Sequence, residues 1–136
     1  MSPKEIQDLL AIVKRDLADA TGDISADWQF GIADNAALKL CTVLMHASGY
    51  RPEKTQQHYR TLQALPLILG PERKADADYL DACRIKRNTV EYDYAGAATS
   101  QDAKEPIEFT QELRTAVITW LERERIELTL PEDKQP

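Results

Sequence analysis

Apolar residues recur along the chain at spacings of three and four, and the strict alternation of a β-strand is nearly absent. The pattern predicts five helices. The first spans Pro3–Ala20, with Ser2 as its cap, Pro3 and Glu5 in its first turn, and Ile6, Leu9, Leu10, Val13 and Leu17 on one face. The second spans Asp27–Ser48. It carries one stripe from Trp28 through Ile32, Ala36, Leu40, Val43, Leu44 and Ala47, and another of Leu38, Cys41 and Met45. A helix apolar on two sides belongs in the middle of a bundle. The third spans Glu53–Leu69, and Pro66 inside it should kink or end it, because proline donates no backbone hydrogen bond. The fourth spans Glu72 to about Asp93. Residues 95–105 read as a mobile loop. The fifth starts near Pro106, presents Phe109, Leu113, Ala116, Val117, Trp120 and Leu121 to a core, and ends near Leu128 as a salt-bridged, exposed terminus. The expected fold is all-α: a compact, mostly antiparallel bundle of four to five helices, one domain over residues 1–130 with a solvated tail at 131–136.

Composition narrows the function. The 136 residues carry a net charge of −6, with 43% hydrophobic and 29% charged residues. That balance opposes broad electrostatic binding to nucleic acid and leaves room only for a local basic patch. No run of about 18 apolar residues suggests a membrane span. The charged N-terminus lacks a signal-like apolar core, so a cytoplasmic protein is expected. Cys41 and Cys83 are isolated and read as buried, reduced thiols. Neither they nor the Asp76, Asp78, Asp81 group has metal-ligand spacing, so no metal or cofactor is expected.

The fourth helix carries the candidate chemistry, in the stretch RIKRNTVEYDY at residues 84–94. At about 100° per residue, Arg87, Asn88 and Glu91 fall within about 60° of Arg84, with Tyr92 and Tyr94 at the edges. Tyr79, Ala82, Cys83 and Val90 are expected to point to the core, and Lys86 to snorkel from that side. A solvated face with an i,i+4 pair between Arg87 and Glu91 is the plain interpretation. A phosphate or nucleotide site is the functional one, since guanidinium forks match phosphate oxygens and phenols stack on bases. Trp28 and Trp120 are read as core or dimer contacts.

This stretch resembles the motif helix of HEPN domains, in which Arg, commonly followed by Asn, precedes a His by four to six residues and a Tyr follows two positions on. Arg87-Asn88 fits the start and Tyr94 the end, while Tyr92 stands at the His position. The order of an alanine-rich second helix ending in HASGYRP, then QHYRTLQALP, then YLDACRIKRN, a loop and a last amphipathic helix is similar to the HEPN layout over about residues 28–127. The resemblance implies a homodimer whose motif helices line a shared cleft. It also implies metal-independent ribonuclease chemistry in toxin, defence or RNA-processing systems, or partnership with a small nucleotidyltransferase in a toxin–antitoxin-like pair. With no His after Arg87, a non-catalytic module that binds RNA, a nucleotide or a protein partner is the first expectation. A ribonuclease with an altered site, using Glu91, His46 or His58 as base, is the second. A structural partner of a nucleotidyltransferase is the third.

Overall fold

The computed structural model describes residues 2–49, 57–92 and 100–129, and the side chains at positions 57, 58, 87–92 and 100 lie outside that description. It is all-α. The elements are α1 (Pro3–Ala20), α2 (Ala26–Ala47), α3 (Gln57–Leu62), α4 (Lys74–Tyr92) and α5 (Ser100–Glu124). A π-helical turn at Leu65–Leu69 and 3₁₀ turns at Pro71–Arg73 and Ile126–Leu128 complete them. Among the described residues there is no strand, and no helix is long and apolar enough to cross a membrane.

Local chemistry sets the helix ends. The Ser2 hydroxyl accepts from the Glu5 amide at 3.2 Å and the Glu5 carboxylate accepts from the Ser2 amide at 3.1 Å, which closes a capping box on α1. Donation from the Ser2 amide, with the Ser2 hydroxyl second, holds the Glu5 carboxyl below the ordinary carboxylate range. Ser25 caps α2 through the Trp28 amide. That helix stops at Ser48, and Gly49 follows with φ of 82°, a left-handed cap that glycine adopts without a Cβ penalty. A guanidinium nitrogen of Arg125 donates to the Ala47 carbonyl and so satisfies one of the acceptors that a helix end leaves open.

α2 is the centre. It packs against α1 and α5 most extensively and also meets α3 and α4. Ala36, Leu40, Cys41, Val43 and Leu44 are all fully buried in one cluster with Ile6 and Val13 of α1, Leu65 after α3, Leu80 of α4, and Leu113, Val117 and Leu121 of α5. Cross-links give the directions. Asp16 pairs with Lys39 at 3.0 Å and Gln29 donates to the Ala20 carbonyl, so α1 and α2 run antiparallel. Ala33 packs on Ile107 while Arg125 reaches Ala47, so α2 and α5 run parallel within the otherwise antiparallel bundle. Tyr79 stacks on Phe109 with ring centroids 4.7 Å apart and Lys86 pairs with Asp102 at 2.9 Å, so α4 opposes α5.

Several expectations change. α5 begins at Ser100, so residues 100–105 are helix rather than loop. Its extra turns bury Ala103 and Pro106, and the Lys86–Asp102 pair ties them to α4. Pro106 therefore sits inside the helix and removes one backbone bond there. α5 ends at Glu124, and Leu128 belongs to the following 3₁₀ turn, where it is buried; Arg123–Glu124 and Arg125–Glu127 ion pairs lace that terminus. Pro66 has the anticipated effect: α3 closes at Leu62 and the chain passes through a π turn. Trp28 is 71% exposed rather than part of a core stripe. Tyr79 and Cys83 of α4 cover this end of α2 on the Phe30 side, about 160° around the helix from Trp28. Trp120 is buried. Residues 53–56, 93–99 and 131–136 fall outside the described residues.

Leu40 is fully enclosed at the centre of this packing. Leu40→Ala should destabilise the fold by about 2–5 kcal/mol in urea unfolding with an unchanged m-value, the cost of a core cavity.

Candidate functional site

α4 is helical through Tyr92, so positions 84, 87, 88 and 91 share one face. The direction of that face differs from the expectation. Ala77 and Leu80, the most buried residues of α4, lie within about 40° of Arg84 around the helix axis. Positions 77, 80, 84, 87 and 91 thus form a single seam with three- and four-residue steps. It is apolar in its first half and charged in its second. Ala82, expected in the core, is exposed; Cys83 is buried and Tyr79 half-buried, as expected. The core side of α4 is set by where α2 lies, and Ala77 and Leu80 meet it. Arg84 thus continues the bundle-facing side of α4, not its opposite.

Arg84 shows what this position does to a charge. Its guanidinium donates to Asp81 at 3.0 Å, and both side chains are about two-thirds covered, at 32% and 29% exposure. Exposed ion pairs contribute little, whereas partial burial retains more of the attraction. Asp76 and Asp78 are likewise engaged, by Arg73 at 2.9 Å and Lys74 at 3.2 Å. The side chains of Arg87, Asn88, Glu91 and Tyr92, and all of Tyr94, lie outside the described residues.

Beside the seam is a cleft of 180 Å³ that the sequence reading missed, lined by Phe30, Tyr79, Cys83, Lys86, Asp102 and Glu105. Burial pushes the Tyr79 phenol well above its ordinary range, and the neighbouring Cys83 thiol and Glu105 carboxylate push it further. Burial also raises Cys83, reinforced by Asp34 and Glu105 and partly offset by the Tyr79 hydrogen bond and Lys86. Both groups are therefore proton donors near neutrality, and the cleft supplies neither a thiolate nucleophile nor a base from them. Cys41, fully enclosed, has its thiol pushed up to about 12 by burial. Both cysteines are free. The signal for this cleft was the pair Tyr79 and Cys83, one turn apart, but Glu105 enters it only because α5 starts early.

The two histidines stand differently from the stripe. His46 is in the last turn of α2, where its charge is felt by Glu5 of α1. Phe30 of α2 meets Cys83, and sixteen residues of helix separate Phe30 from His46, a rise of about 24 Å. Within one chain His46 is thus at the far end of the bundle from positions 84–91. His58 belongs to α3, and its side chain lies outside the described residues. Among the described residues no group of three or more His, Cys, Asp and Glu is arranged to hold a metal ion. Comparisons of the chain with protein-family models, with curated proteins and with solved structures found no match.

The Tyr79 shift has a pH consequence. Above the ordinary phenol value of 10.0 the unfolded chain releases this proton while the folded chain keeps it. The folded state then binds more protons, so stability falls as pH rises through this window. Urea titrations from pH 9 to 11 should show that fall, and Tyr79→Phe should make it shallower.

Proposed function

We propose that this protein is a non-catalytic, HEPN-like helical module that dimerises and binds RNA or a nucleotide through the Arg84, Arg87, Asn88 and Glu91 face of α4. The observation that carries this reading is the register of that face with Ala77 and Leu80. Arg84, the described charge in that register, is about two-thirds covered and paired with Asp81. Arginine forks at positions 84 and 87 of this face match phosphate oxygens through charge-assisted, bidentate hydrogen bonds. The net charge of −6 makes such binding local to α4 rather than spread over the surface.

The lack of a histidine after Arg87 supports the non-catalytic side. A tyrosine occupies position 92, where the resembled motif has His, and a free phenol titrates near 10, too high to accept a proton efficiently at neutral pH. His46 is at the other end of the bundle, so recruiting it would need a second chain. Tyr79 and Cys83, the titratable neighbours on α4, are both held protonated. The dimer is what the resemblance implies, and Ile85, 55% exposed next to Arg84, is the position at which to test it.

Fluorescence anisotropy with a labelled single-stranded RNA, in buffer without divalent metal, tests the reading. Intact protein should bind, binding should weaken as salt rises, and Arg87→Ala should lower affinity about tenfold or more, the loss of a charged hydrogen-bonding partner. The RNA should remain uncut. Cleavage that Arg87→Ala abolishes would make the protein an enzyme, and no binding at all would leave a protein partner as the ligand of this face. In sedimentation experiments Ile85→Glu should shift the protein from dimer to monomer without lowering its helix content; an intact protein that sediments as a monomer would count against the dimer.

A further inference from the structure

A second groove lies between α1 and α5, away from α4. It encloses 470 Å³, within the range of about 300–1,000 Å³ typical of small-molecule sites. Leu10, Ala11, Ile118 and Leu121 give it an apolar wall, while Lys14 and Arg114 bring two cations to it against one carboxylate, Glu122. Neither cation is ion-paired among the described residues. The Nε of Arg114 is buried and has no hydrogen-bond partner among the described residues. Buried donors are nearly always satisfied, and one left open on a cation is costly. The guanidinium feels that cost, since desolvation lowers its affinity for a proton. Other partly covered cations of this fold are answered: Arg125 by the Ala47 carbonyl and Lys39 by Asp16. Gln7, also on the groove, is committed to the Leu128 carbonyl at 2.8 Å and so fixes one end of it.

We propose that this groove binds a small organic anion with an apolar body, a carboxylate in its simplest form. Its charged end meets Arg114 and Lys14, and its hydrocarbon lies along Leu10, Ile118 and Leu121. Charge complementarity selects an anion, because two unpaired cations outnumber one carboxylate. The apolar wall selects a ligand with a hydrocarbon portion over a bare inorganic ion. This site is separate from the α4 face and does not depend on the function proposed for it.

The test is a titration of the full-length, isotope-labelled protein with octanoate, followed by NMR, with octan-1-ol as the neutral control. Octanoate should shift the Ile118 methyl and Arg114 Nε–H resonances and bind about tenfold or more tighter than octan-1-ol, the difference made by a charged hydrogen bond. Arg114→Met, which keeps the aliphatic stem, should remove most of that preference. Lys14→Met, on an exposed position, should reduce it should the Arg114 variant fail to fold. Equal binding of acid and alcohol, shifts confined to other surfaces, or no response at millimolar octanoate would overturn the proposal.

Discussion

The close approach of α2 to its neighbours is the constraint on which the rest of the bundle depends. Ala33, Ala36, Ala37 and Ala47 are all essentially inaccessible, so α1 and α5 pack nearly against the α2 backbone. The Thr110 hydroxyl of α5, completely buried, lies 3.5 Å from the Ala33 carbonyl and bonds the Pro106 carbonyl at 2.7 Å. Small side chains bring dispersion contacts to full strength, and the larger Leu40, Val43 and Leu44 fill the layers between them. Once α2 is enclosed in this way, α1 and α5 are placed, and α4 has one remaining side of α2 on which to lie.

That placement gives α4 its double character. Its first three turns use Ala77, Leu80 and Cys83 to close the core. Its later turns continue the same seam with arginine, asparagine and glutamate, where a longer core helix would carry leucine. Proteins retain charge along a packed direction when something offsets desolvation. Asp81 does so for Arg84. The cleft at Tyr79 and Cys83 lies alongside, and these two groups, held protonated, are hydrogen-bond donors rather than bases.

Much of this was legible in the residues. The α1 stripe, the two-sided burial of α2 and the break at Pro66 follow from spacing and from the missing amide of proline. The direction of α4 was not legible, because the helix has few apolar residues and its own periodicity favours the Tyr79, Ala82 and Cys83 side about as well as the Ala77 and Leu80 side. Only the position of α2 decides between them. The start of α5 was misplaced for a related reason. Proline is common in a first turn, and Pro106 looked like one, but burial of Ala103 and the Lys86–Asp102 pair extend the helix ahead of it. Arg114 gave no sequence signal at all, since its unpaired Nε is a product of how α1 and α5 meet.

The proposed ligand site is the charged half of the α4 seam. Amide chemical-shift mapping of the labelled full-length protein against a short single-stranded RNA tests it most directly. Binding at that face should place the strongest shifts on residues 84–91, with α1 and the far end of α2 near His46 unmoved. Shifts spread over those distant elements, or none on α4 at saturating RNA, would contradict it.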